Sequence, residues 1–206
     1  MTRALLVLSR CLLLTATLLI VRSVPAAAQL PMGLWVSAQV HPTLASPRGD
    51  FAGAGVGAGD GAGFAAGGAV GRGPVGIYAE YQRILFDCAQ CGEADLDDAV
   101  SDMGWEGGLL LRGPGLPLSV RPWVRGGLLQ HQLLFAGVGA RSASDPSIGM
   151  AFGAGIDLPV YRFVQIAPSI TYQSYDASFD FRDEALPSRS TDVSYLIYRV
   201  GLALRF

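Results

Sequence analysis

Between Val193 and Phe206 apolar side chains fall on every second position: Leu196, Tyr198, Val200, Leu202, Leu204 and Phe206. The intervening positions include Arg199, Gly201, Ala203 and Arg205. A helix would scatter the two arginines around its circumference, whereas a strand sets both on one face. The same alternation runs through 75–86, where Val75, Ile77, Ala79, Tyr81 and Leu85 oppose Tyr78, Glu80 and Gln82. Arg83 breaks it near the outer end of that strand. In 102–112 Met103, Trp105, Leu109 and Leu111 oppose Asp102, Glu106 and Arg112. In 118–129 Leu118, Val120, Val124 and Leu128 oppose Ser119, Arg121, Trp123 and Arg125. Segments 147–158 and 163–175 alternate likewise, and two weaker ones, 34–42 and about 61–71, bring the predicted strands to eight.

The connections alternate too. Those at 71–74, 113–117 and 157–161 are tight, the first two rich in Gly and Pro, while those at about 43–60, 87–101, 136–146 and 181–192 are long and polar. An even number of antiparallel strands, with short turns on one rim and long loops on the other, is the pattern of a bacterial outer-membrane barrel.

Ahead of the first strand, Arg3 and Arg10 precede an apolar run from Cys11 to Val21, followed by Pro25 and Ala26-Ala27-Ala28. This is the pattern of a secretory signal peptide, with cleavage expected after Ala28. The expected domains are therefore a leader, 1–28, and a barrel, 29–206. After Gln29 no apolar run reaches the roughly 18 residues of a transmembrane helix. The exported chain is thus either soluble or inserted as a closed barrel.

Composition then narrows the choice. Of 206 residues, 50% are hydrophobic and 16% charged, and all 15 basic residues are arginine. Globular proteins carry nearer about a quarter charged residues. A net charge of -2 with an isoelectric point near 5.6 argues against a nucleic-acid-binding surface. Arg3, Arg10 and Arg22 leave with the leader and no acid does, so the exported chain is more acidic still. One face of each predicted strand is large and branched, and the other is Gly, Ala, Ser and charged residues. An eight-stranded barrel has an interior only wide enough for side chains. The bulky face therefore points to lipid and the small, charged face inward. The reading is all-β: an eight-stranded antiparallel up-and-down transmembrane β-barrel in the cell outer membrane.

The leader, the ending Tyr198-Arg-Val-Gly-Leu-Ala-Leu-Arg-Phe206 and segments such as Gly76-Ile-Tyr-Ala-Glu-Tyr81 resemble the small outer-membrane β-barrel family of OmpA-like transmembrane domains and opacity-type proteins. The resemblance covers about 34–206 and rests on patterns rather than fixed residues. It implies a monomer among outer-membrane lipid and lipopolysaccharide, with surface ligands reached through the loops. It also implies that the terminal Phe206 serves as the signal read by the barrel-assembly machinery.

Inward charges of both signs, Glu80, Glu106, Arg121, Arg125, Arg199 and Arg205, predict a lumen charge network, because buried charges must be paired. Cys88 and Cys91 are expected to form a loop disulfide in an oxidising exterior. A single pair is too few for a structural zinc site. The acids Glu93, Asp95, Asp97, Asp98 and Asp102 lack the spacing of a calcium loop and read as a solvated acidic loop. Arg48-Gly49-Asp50 matches an integrin-binding tripeptide, and Gly53-Ala-Gly-Val-Gly57 has no strand–turn–helix context for a dinucleotide. His41 and His131 point inward by parity. Eight-stranded lipid A-modifying enzymes use His with Ser and an acid, but here neither His is followed two residues on by Ser. The expected role is structural or surface-binding, without catalysis, metal or cofactor. A narrow channel for small or apolar solutes comes second and a lipid A-modifying enzyme third.

Overall fold

A computed structural model describes residues 33–52, 58–88, 100–137, 140–179 and 189–206. The strands are β1 (Leu34–Arg48), β2 (Ala58–Arg72), β3 (Val75–Cys88), β4 (Val100–Arg112), β5 (Arg121–Gly137), β6 (Ala140–Ala143), β7 (Ser147–Tyr161), β8 (Val164–Phe179) and β9 (Arg189–Arg205). All pairings are antiparallel, in the order β4-β3-β2-β1-β9-β8-β7-β5, and a β4–β5 ladder closes the ring. Strand β6 only prolongs β5, pairing from Leu134↔Ala143 to Gly137↔Ala140. The barrel therefore has eight staves, with first and last joined at β1–β9. That seam ends in a reciprocal clamp: Val36 N–H donates to Phe206 O at 3.1 Å and Phe206 N–H to Val36 O at 2.9 Å. Ladder steps are absent at Pro42 on this seam and at Pro168 between β7 and β8. Proline has no N–H to give.

The alternating apolar face lies outside. Val36, Leu44, Ile77, Leu109, Val124, Leu128, Met150, Phe152, Ile170 and Val200 are exposed around the circumference. In water such a belt would be an association surface; in a bilayer it is the surface a spanning barrel must have. Aromatic rings border it at both ends. Phe64, Tyr81 and Trp105 form a chain on the long-loop side, with ring centroids 6.4 and 5.4 Å apart. Phe163 and Phe206 stack at 5.7 Å on the short-turn side. Among the described residues no helix is long and apolar enough to cross a membrane.

Several boundaries differ from the sequence reading. The third tight turn lies at Arg162-Phe163, because β7 continues to Tyr161. The predicted strand 118–129 begins at Arg121, since Pro117–Ser119 is a 3-10 turn with Leu118 at φ 65 and Ser119 at φ 59. Those left-handed values take Leu118 off the apolar face, to 91% exposure at the rim. At the long-loop end the strands run further than expected. β1 reaches Arg48, β2 starts at Ala58, β9 starts at Arg189, and β6 occupies part of the expected loop 136–146. Beyond the membrane the ladder still satisfies backbone groups, so pairing continues after the apolar pattern fades. The short helix α1 (Gly49–Ala52) caps β1.

Candidate functional site

The inward side chains of the eight staves lie at three levels along the lumen. Glycine on the wall sets how close they come. A Cβ on Gly71 or Gly76 would lie 2.4 or 2.5 Å from the ring of Trp35, and one on Gly155 would lie 2.5 Å from Trp123. On Gly201 it would lie 2.0 Å from His41 Nδ1. Bare backbone is the seat for each of these rings. The high glycine content thereby converts into space for large inward side chains.

The middle level is ionic. Glu80 of β3 has 0% exposure. It receives Arg125 of β5 through two contacts, at 3.2 and 3.3 Å, and Arg199 of β9 on Oε1. Arg125 also lies 3.4 Å from Glu106 of β4. The Tyr78 hydroxyl donates to Glu106 at 2.6 Å, and Gln173 Nε2 donates to the other oxygen at 2.7 Å. Arg199 Nη2 donates to Gln82 Oε1 at 2.7 Å, while Gln82 Nε2 donates to Gln173 Oε1 at 2.7 Å. His41 lies 3.8 Å from Glu80. Two carboxylates and two guanidiniums thus meet across the lumen, with amide and phenol groups among them, while the Nε of Arg125 and of Arg199 has no hydrogen-bond partner among the described residues. Each buried carboxylate is paired with a guanidinium, as a buried charge requires.

Four of the six predicted network residues meet here: Glu80, Glu106, Arg125 and Arg199. Arg121 and Arg205 do not join them. Their parity is inward, but they are the first residue of β5 and the last of β9, so they stand at the short-turn mouth. There Trp35, Tyr78, Leu110 and Trp123 form a small buried cluster. Arg112 stacks on Trp35 at 3.6 Å and lies 3.7 Å from Asp157.

The third level, toward the long loops, is apolar. Ile84, Phe86, Leu129, Leu133, Val193, Tyr195 and Ile197 are all buried. Phe51 of α1 enters from above with its ring edge-on to Phe86 at 5.1 Å. The sequence predicts a small, charged inward face and does not lead to this level. The signal lay in the inward parity of Val193, Tyr195 and Ile197 in the last strand. Phe51 had none, since α1 has no period to read.

Between the two levels, the Tyr195 hydroxyl donates to Asp102 Oδ2. His131 Nδ1 lies 3.0 Å from Asp102 Oδ1 and 3.5 Å from the same hydroxyl. His and acid thus occupy neighbouring strands, as a lipid A-modifying site would need, but the hydroxyl beside them is a phenol. All three side chains are buried. Cys91 and Glu93–Asp98 lie outside the described residues, as do Gly53–Gly57 and the leader. Arg48, Gly49 and Asp50 are exposed at the long-loop rim.

A closed eight-stranded barrel with a lipid-facing belt and aromatic borders is a transmembrane barrel of the outer-membrane class, and the chain resides in the cell outer membrane. Solved structures agree on the fold. Neisserial surface protein A matches with a TM-score of 0.57 at 15% identity, over 84% of this chain and 97% of its own. The attachment invasion locus protein Ail of Yersinia pestis matches at 0.54 and 15%, over 85% and 100%. Outer membrane protein OprG of Pseudomonas aeruginosa matches at 0.57 and 15%, over 84% and 96%. No protein-family model matches the sequence, and no curated protein does.

Proposed function

We propose that the protein is a non-conducting, non-catalytic barrel that stabilises the outer membrane and presents its long loops to surface ligands. The observation that carries this reading is Glu80, fully buried at mid-lumen and shared by two arginines from separate staves, β5 and β9. A conducting pore keeps water at such a carboxylate. Here protein groups occupy its surroundings, and Phe51 with the apolar level lies above. One structural neighbour, Ail of Yersinia pestis, is an attachment invasion locus protein, which accords with a surface role for exposed loops.

Planar-bilayer recording tests the closed lumen: the expected result is no stepwise conductance from the folded barrel. Steady single-channel steps would establish the narrow-channel reading instead. The buried His131–Asp102–Tyr195 group supports positioning rather than lipid chemistry, because no described serine hydroxyl bonds to it. Lipid A isolated from expressing cells is expected to have unaltered acylation. An alteration that disappears in His131→Ala would assign an enzyme.

A further inference from the structure

The short-turn mouth gathers positive charge that its own side chains do not balance. Among the described residues, Arg72, Arg112, Arg121, Arg162 and Arg205 stand at this end, with Asp157 as the acidic side chain among them. Three of the arginines are inward and converge. Arg112 Nε lies 3.7 Å from Asp157 Oδ2, and Arg121 is the cross-strand partner of Asp157. Arg112 and Arg205 both lie against Trp35, with guanidinium carbons 3.6 and 5.8 Å from its ring. The platform is fixed, since Trp35 Nε1 donates to Gly73 O at 3.0 Å. One carboxylate cannot neutralise three guanidiniums. The Arg112 side chain is only 8% exposed, yet its Nε and Nη1 have no hydrogen-bond partner among the described residues. A buried cationic donor without an acceptor is costly, and ring stacking satisfies only its face.

We propose that this mouth is a phosphate-binding site formed by Arg112, Arg121 and Arg205 around Asp157. Guanidinium forks match phosphate oxygens in pairs, which a compact ammonium does not. Arg121 is exposed and Arg205 half-buried, so both forks are reachable from the short-turn side, which in this architecture faces the periplasm. The phosphate arrives either free or as the headgroup of an inner-leaflet phospholipid. The stacked Phe163 and Phe206 place the rim at headgroup level. The site does not depend on whether the lumen conducts.

The test uses protein purified from outer membranes and placed in nanodiscs. Inorganic phosphate is titrated calorimetrically in phosphatidylcholine discs, and native mass spectrometry reads retained phosphatidylglycerol against phosphatidylcholine. The double variant Arg121→Gln/Arg205→Gln leaves the buried Arg112–Asp157 pair in place. It is expected to weaken binding by about tenfold or more, while Arg48→Gln at the opposite rim leaves it unchanged. Saturable phosphate binding that the double variant loses assigns a free anion. Selective phosphatidylglycerol retention that it loses assigns the headgroup. Wild-type protein that holds neither, or binding equal in wild type and double variant, overturns the proposal. Arg112→Gln, where heat-modifiability shows it folded, is expected to lose binding as well.

Discussion

Above Gln82 and Gln173 the lumen is packed like the core of a soluble protein, with Ile84, Phe86, Leu133 and Tyr195 around Phe51. Below them it is held by Glu80, Glu106, Arg125 and Arg199. The two regions share the same staves and the same inward parity but differ in what a defect does. Apolar packing gains free energy with every contact and yields gradually when trimmed. The ionic level gains little net, because desolvation offsets the Coulomb attraction, but it fails abruptly when one partner is removed. The ionic level also coincides with the lipid belt, where Ala79 and Val200 beside Glu80 and Arg199 face outward. Specific pairing thus spans the lumen within the membrane, and apolar packing secures its outer end.

The largest effect should come from Glu80→Ala. It leaves Arg125 and Arg199 buried without their shared carboxylate, at a cost of about 3–5 kcal/mol. Urea unfolding of the barrel in lipid vesicles measures it. Glu80→Gln keeps the shape and part of the hydrogen bonding, so it should cost less. An Ala variant as stable as wild type would remove the distinction between the regions. Phe51→Ala should follow at about 3 kcal/mol, the low end for a buried ring because α1 can relax. Here the defect is local: hydrogen exchange should rise at the long-loop ends of β1 and β9 and stay unchanged at Arg125. Exchange rising equally at both levels would mean that they unfold as one.

These two residues also mark what sequence can reveal. Glu80 was legible because it sits mid-strand, where period two fixes the face and burial demands a partner of opposite sign. Its partners Arg125 and Arg199 followed by the same logic. Arg121 and Arg205 obey that parity yet miss the network, because parity gives a face and not a height along the barrel axis. Phe51 was invisible for another reason. It lies on a single helical turn, and its burial is decided by the mouth it enters. The outer apolar level was only half visible, since the alternation at Val193, Tyr195 and Ile197 reverses its polarity past the belt. There both faces leave the bilayer, and the inward one becomes the apolar side.

A smaller effect should come from Gly201→Ala, which tests the wall rather than its contents. The added Cβ would lie 2.0 Å from His41 Nδ1, beside the seam where β1 loses ladder steps at Pro42. The ring must move, at a cost of about 1–3 kcal/mol. If His41→Ala in the same chain restores stability, the ring is the obstacle. Persistent loss would place the strain in the β1–β9 backbone.

Tyr195→Phe should give the smallest change and the finest division between the two regions. The ring belongs to the apolar level, edge-on to Phe86 at 5.3 Å. The hydroxyl reaches across to the polar one, accepting from Gln82 Nε2 at 3.0 Å and donating to Asp102. Removing only the oxygen should cost about 1–2 kcal/mol, since Asp102 keeps His131 and Gln82 keeps Gln173. Tyr195→Leu removes ring packing as well and should cost more, by the area and cavity lost. If the two substitutions cost the same in urea unfolding, the ring contributes nothing beyond its hydroxyl, and the upper lumen is an extension of the polar network. A Phe variant near wild type with a clearly weaker Leu variant would place the boundary between packing and pairing at the Tyr195 Cζ–OH bond.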